Sequence, residues 1–267
     1  MAESRFRGTL LQPNTPQWEE FRRRESSGRS MFATELVQLV GLGYGSMRQA
    51  YRSACGQRDE HSAWLLSLFQ RGHDSEAAVV RMVRGVVQER GVAALVVHGV
   101  GPIAGRPPHF GDLFASPDIV LLAEPDHRDA ILIECKYTER GVDLRDRDLP
   151  ELGHLLQVCV QLTVMGPIVG QAFIMYTHAS GDQRVFRVRE STDYCYPLAV
   201  TLVRRAYDRA VAMRARARTT RQPEREWIEA FRRVRDTVQA DVAQYRRSFV
   251  TEDDGEGCIP TLAFKQS

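Results

Sequence analysis

Asp118, Glu134 and Lys136 are the residues here whose types and spacing suit chemistry. Glu134 and Lys136 flank Cys135 at the end of an apolar run, Ala130-Ile131-Leu132-Ile133. Side chains alternate across a strand, so both charges project from one face and Cys135 from the other. A second apolar run, Ile119–Ala123, precedes the turn-type stretch Glu124-Pro125-Asp126-His127-Arg128-Asp129, so the two runs read as a β-hairpin. Asp118 opens the partner strand and could lie beside the pair. Two carboxylates and an amine on a core sheet are costly unless a metal or a reaction uses them. The bland account is a Glu–Lys ion pair at a sheet end with a capping Asp. Lysine usage weighs against it. Of 36 basic residues only Lys136 and Lys265 are lysine, and a compact ammonium with a tunable pKa is what arginine cannot supply.

The elements that must position these residues follow from periodicity. Thr15-Pro16-Gln17-Trp18-Glu19-Glu20 reads as a helix start, with the helix running to about Arg24. Helices are expected over Met31–Val40, Ser46–Ala54, Asp59–Gln70 and Asp74–Glu89. In the last of these Val79, Val80, Val83 and Val87 form an apolar stripe that Glu76 heads. A carboxylate there either stabilises a helix N-terminus or serves a metal. Ala93–Val100 and Gly111–Ala115 read as strands. Residues Thr138–Pro150 read as a charged surface loop, and Glu151–Met165 as a helix whose buried face is flanked by the polar stripe His154, Gln157 and Gln161. That stripe either faces solvent or turns amides toward the carboxylates or DNA. Two further strands, Gln171–Thr177 and Arg184–Arg189, precede helices with arginine-rich faces, over Pro197–Ala217 (Arg204, Arg205, Arg209, Arg214, Arg216, Arg218) and from Pro223 onward.

Composition bounds the rest. With 267 residues, 43% hydrophobic, 26% charged and a net charge of +2, the chain is globular and not globally basic. Any nucleic-acid surface must come from local arginine clusters such as Arg22-Arg23-Arg24. Five cysteines without a CxxC spacing read as reduced thiols of an intracellular, soluble protein, and neither a signal peptide nor a membrane span is expected.

On these motifs the chain resembles the lambda-exonuclease-like branch of the PD-(D/E)XK nuclease superfamily, which includes phage recombination exonucleases and viral alkaline nucleases. The resemblance covers about residues 18–165. Ser116-Pro117-Asp118 corresponds to the family's Ser-Pro-Asp and Glu134-Cys135-Lys136 to its Glu-X-Lys. Gly72-His73-Asp74-Ser75-Glu76 is similar to its Gly-X-X-X-Glu helix. Phe32-Ala33-Thr34-Glu35 looks like its Thr-Ala-Ser-Glu box, with Thr34 in place of the serine, and Leu156-Gln157-Val158 like its helix glutamine. Arg24 is the best match for its upstream arginine, with Arg22, Arg23 and Arg29 as alternatives.

The resemblance implies an α/β (α+β), restriction-endonuclease-like fold, a mixed central sheet flanked by helices. It implies one nuclease domain over 1–248: an N-terminal helical region over 1–92, a catalytic sheet core 93–190 and C-terminal helices 191–248, then a loosely held tail 249–267. It also implies two Mg²⁺ ions, with Mn²⁺ as substitute, held by Glu76, Asp118, Glu134 and the backbone carbonyl of Cys135. Oxygen ligands suit these hard cations. Lys136 would orient the attacking water, Gln157 would orient the lysine or the nucleophile, and Thr34 with Arg22 or Arg24 would hold a phosphate. The implied activity is exonuclease action at double-stranded DNA ends, 5′ to 3′, in viral or phage-like recombination. Alternatives are an alkaline-nuclease-like endo/exonuclease that also cuts RNA and a catalytically decayed DNA-binding scaffold. Implied partners are duplex ends, a single-strand annealing recombinase and further copies of the chain in a trimeric ring, with no membrane. The implied compartment is the cytoplasm, or a host nucleus.

Overall fold

A computed structural model describes residues 7–8, 15–25, 30–43, 45–57, 63–98, 103–105, 113–123, 130–139, 144, 148–189, 195–219 and 224–252. The described residues form a mixed α+β fold with helices on both faces of a central sheet. Strands β3 (Ala94–His98), β6 (Ile119–Ala123), β7 (Ala130–Thr138), β8 (Val169–His178), β9 (Gln183–Arg189) and β10 (Thr251–Glu252) form that sheet in the order β10-β9-β8-β7-β6-β3. The β6–β7 hairpin is antiparallel, pairing Ile119 with Ile133 and Leu121 with Ile131. β7 and β8 run parallel. Parallel neighbours need a crossover, and helix α5 (Leu152–Met165) supplies it.

Period-two alternation divides β7 between two cores. Ala130 and Leu132 join the core that includes α5, whereas Ile131, Ile133 and Cys135 join the one that includes Val79, Val80, Val83 and Val87 of helix α4 (Ala63–Glu89). The sheet is thus covered on both sides, which is why β7 is apolar on both faces up to Ile133. A second sheet, ordered β1-β4-β5-β2, is built from Arg7–Gly8, Ile103–Gly105, Leu113–Ala115 and Met31–Phe32. Here β2 runs parallel to β5, with Met31 opposite Leu113 and Phe32 opposite Phe114.

Helix α2 (Ala33–Leu39) ends at Gly41, whose φ of 81° suits glycine. The turn delivers the Leu42 carbonyl onto Gly153 at the start of α5, where an added Cβ would stand 2.1 Å from that oxygen. This close approach seats α5 beside α2. Helices α3 (Met47–Ala54), α6 (Cys195–Thr219) and α7 (Glu224–Phe249) pack around the same side and extend the larger core, burying Tyr207, Trp227 and Phe231. Helix α1 (Pro16–Glu25) is tied on by edge-to-face contacts from Phe21 to Phe32 and Phe114.

Several sequence expectations are corrected. The two helices expected on either side of Gly72 are one helix, α4, 27 residues and about 40 Å long. Gly72 is tolerated in its interior because a helix forfeits only about 1 kcal/mol there relative to alanine. Met31 and Phe32 are strand, because β5 offers a parallel edge that the local apolar pattern cannot reveal. Within the expected charged loop Leu144 is buried, and its carbonyl accepts from Arg184 Nη1 at 2.7 Å. Thr251 and Glu252 of the expected loose tail add a strand to β9, while 253–267 lie outside the described residues. Of the expected basic face on α6, Arg214 is buried, and Arg205 and Arg209 lie beside Asp241. Among the described residues no helix is long and apolar enough to cross a membrane, and Cys55, Cys135 and Cys159 are free thiols.

Candidate active site

Asp118 sits at the entrance to β6, and continuing the β6–β7 register by one step sets it opposite Glu134. Its Oδ2 accepts the backbone N–H of Cys135 at 2.7 Å, which fixes the carboxylate against the neighbouring strand. Glu134 and Lys136 leave the same face of β7, the face toward α5. There Lys136 Nζ donates to Glu134 Oε1 at 2.5 Å. Gln157 Nε2 donates to the same oxygen at 2.6 Å, and Gln157 Oε1 accepts from Lys136 Nζ at 3.2 Å. Gln161 Nε2 donates to Glu134 Oε2 at 2.6 Å. Glu134 is 1% exposed. A buried carboxylate is tolerable when a cation and hydrogen-bond donors meet its oxygens, as they do here.

The polar stripe of α5 is therefore not a solvent face. Gln157 and Gln161 lie one turn apart on the side that meets β7, and Gln161 is fully buried. Its Oε1 has no hydrogen-bond partner among the described residues. Reversing the amide would set that oxygen against a carboxylate oxygen, so the charge on Glu134 holds the orientation. His154, the third member of the stripe, stands apart from the cluster, its Nδ1 2.8 Å from the Tyr176 hydroxyl.

Glu76 reaches the same end of the sheet from the opposite face. It lies 13 residues inside α4, which removes the helix N-terminus as a reason for a carboxylate there, since that field fades within the first turn. His98 Nε2, at the end of β3, is 2.8 Å from Glu76 Oε1. Glu76 still acts on the other residues. The Asp118 carboxyl is held well above its ordinary range, first by burial, then by the negative charges of Glu134 and Glu76, with Lys136 offsetting only some of it. Burial and the same three carboxylates also push the Cys135 thiol well up, so it stays protonated and unreactive.

The remaining expected residues lie elsewhere. Thr34 is exposed in the first turn of α2. Arg24 is exposed on α1, its guanidinium 5.7 Å from the centre of the Phe21 ring. The Phe21–Phe32–Phe114 cluster links both helices to β5, whose chain runs directly into Ser116-Pro117-Asp118. The side chain of Arg22 lies outside the described residues.

No protein-family model matches the chain, and no curated protein matches it. A solved structure described as "Crystal structure of SSO0001" superposes with a TM-score of 0.41 and 12% identity, over 78% of this chain and 84% of that one. So loose a likeness carries no weight for fold or function.

One member of the site, His98, has no role assigned by the sequence patterns. Gln161 belongs to the stripe read as facing either solvent or the carboxylates, and it faces Glu134. His98 shares its parity with Ala94 and Val96 and so faces α4, but a histidine ending a strand gives no local signal of its partner.

Whether the donor set suits a divalent cation is decided by charge. Glu76, Asp118 and Glu134 gather at one sheet end with a single ammonium, Lys136, and the Asp118 carboxyl is pushed up first by burial and then by the charges of Glu134 and Glu76. Carboxylate oxygens carrying excess negative charge are donors of the type that Mg²⁺ or Mn²⁺ takes. Against this, among the described residues no three His, Cys, Asp or Glu side chains converge closely enough to hold a metal ion. Release of Glu134 Oε1 by Lys136 and Gln157 would free a ligand oxygen.

Proposed function

We propose that the chain is a Mg²⁺-dependent nuclease of the PD-(D/E)XK class that hydrolyses phosphodiester bonds at the ends of duplex DNA. The observation that carries this reading is the Asp118–Glu134–Lys136–Gln157 cluster. An acid, a second acid and a compact ammonium share one sheet end, on adjacent strands, with an amide from the crossover helix between the last two.

Asp118, Glu134 and Glu76 would hold the cation, which when bound lowers the pKa of water and neutralises charge on the phosphate. The chain's own groups do the rest. Lys136, displaced from Glu134 Oε1, can orient a water and donate toward charge that develops on phosphate oxygens. Gln157 holds Lys136 through Oε1 and Glu134 through Nε2, so it sets the distance between the two. Gln161 keeps Glu134 anchored through Oε2 when Oε1 is released. Thr34 and Arg24 would meet the phosphate of a DNA strand approaching from α1 and α2. A 5′-to-3′ direction, the recombination role, a recombinase partner and a ring of copies belong to the same proposal and rest on the family resemblance alone.

The test is digestion of end-labelled linear duplex, closed circular DNA and RNA with and without Mg²⁺ or Mn²⁺. Cleavage of linear duplex from its ends, lost in Asp118→Asn, supports the reading. Intact linear duplex in Mn²⁺ defeats it.

One observation favours a second reading, a DNA-binding module without catalysis. Both oxygens of Glu134 are already met by donors, which a purely structural hydrogen-bonded cluster would also display. Under that reading DNA is bound equally well in EDTA and in Mg²⁺ and is never cut.

A further inference from the structure

Glu76 is held asymmetrically. Its Oε1 is 2.8 Å from His98 Nε2, whereas its Oε2 is 3.7 Å from His73 Nδ1, beyond hydrogen-bonding range. An ionised carboxylate can only accept, so the short contact is an Nε2–H donating to Oε1. His98 is itself fixed, since it ends β3 with its Cα paired to Ile119, the residue after Asp118. The imidazole therefore stands on the strand beside the one that carries Asp118, and α4 brings Glu76 down to it. One carboxylate oxygen is committed to the sheet, and the other meets the half-exposed His73 only at the 3.7 Å range of an ion pair, with no hydrogen bond to hold it.

We infer that His98 is a positioning residue for Glu76: by holding Oε1 on β3 it fixes the carboxylate at the sheet end and leaves Oε2 to serve the divalent cation. The inference rests on the nuclease reading above and extends it to a residue that no motif marks. Groups that hold a ligand carboxylate in this way are worth about 10–100-fold in metal affinity. A surface ion pair without that role would be worth almost nothing to metal binding. The Glu76 side chain is 18% exposed and that of His98 35%, so replacing the imidazole opens no core cavity.

The experiment measures Mn²⁺ dissociation constants by electron paramagnetic resonance on the full chain, for the parent, His98→Ala, His98→Gln and Asp118→Asn, with thermal melts in EDTA alongside. We expect His98→Ala to weaken Mn²⁺ binding by about 10-fold or more with little change in melting temperature. His98→Gln keeps a donor and is expected to lose less than the roughly 10-fold minimum set for loss of such a partner. If His98→Ala binds like the parent while Asp118→Asn does not, the role of His98 is wrong and the nuclease reading stands. If His98→Gln is as weak as His98→Ala, the donor role is equally wrong. If the parent binds no Mn²⁺, or Asp118→Asn binds as well as the parent, the metal reading fails and takes this inference with it.

Discussion

Lys136 Nζ lies 2.5 Å from Glu134 Oε1, two residues apart on one strand, with Glu134 1% exposed. The pair is both the counter-charge that lets a carboxylate be buried and the group required by the proposed chemistry. Removing one partner and removing both should therefore differ. Lys136→Met leaves a buried, uncompensated charge and is expected to cost roughly 3–5 kcal/mol of stability along with all cleavage. In the double variant Glu134→Gln/Lys136→Met most of that stability should return, and no activity. Urea denaturation of the three proteins measures the first, and end-labelled duplex the second. A double variant as unstable as Lys136→Met would mean that Glu134 is not the cause.

Asp118 is the reverse case, a carboxylate kept at a cost. Burial, Glu134 and Glu76 raise its folded-state pKa above the ordinary value of 3.8. The folded protein therefore retains a proton where the unfolded chain has lost it. Below pH 3.8 both states are protonated and nothing is lost. As pH rises from there through the folded-state value, stability falls, and above that value the full penalty is present. Asp118→Asn keeps an acceptor for the Cys135 N–H and removes the charge. It should raise the melting temperature at pH 7 by about 2–4 °C for each kcal/mol relieved, flatten this region of the pH profile and abolish cleavage. Melting the two proteins from pH 4 to 8 checks the sign.

Gln161 separates anchoring from charge compensation. Its Nε2 is the donor on Glu134 Oε2, and its own Oε1 is buried without a partner among the described residues. Gln161→Met preserves volume, removes that lone acceptor and leaves one carboxylate oxygen unmet. The unmet oxygen should dominate, at about 1–3 kcal/mol. Cleavage should fall more than DNA binding, so that kcat drops while KM holds. An unchanged kcat would show that Lys136 and Gln157 suffice to hold Glu134.

Much of this was legible in the sequence where one strand or helix period carried the information. The two-residue step from Glu134 to Lys136, the hairpin before it, and the one-turn spacing of Gln157 and Gln161 are local patterns, and local geometry obeyed them. What the sequence hid was set by contacts far along the chain. Local pattern gives two helices on either side of Gly72, yet α4 runs through it because its apolar face packs on the sheet, and the reason for Glu76 changes with it. Met31 and Phe32 carry a pattern that fits a helix as well as a strand, and only β5 decides between them. His98 acquires its partner from a helix 22 residues earlier. Arg214 looked like one more member of a basic face, since nothing local distinguishes a buried arginine from its exposed neighbours.

Arg214 shows how the C-terminal helices reach the site. It is 2% exposed on α6, its Nη2 is 2.6 Å from Glu35 Oε1, and its Nη1 donates to the Ser30 carbonyl at 2.7 Å. One guanidinium therefore brackets Ser30–Glu35, the stretch holding β2 and Thr34. Arginine suits this because its planar fork meets two acceptors at once, which lysine cannot match. Arg214→Met strands the half-buried Glu35 and should cost roughly 3–5 kcal/mol. Arg214→Met/Glu35→Met should recover some of that, because two well-packed apolar side chains can replace a buried pair. If the clamp also sets Thr34 for phosphate, the double variant, refolded and stable, should still show a raised KM for DNA ends with kcat little altered. A double variant with the parent's KM would confine Arg214 to stability.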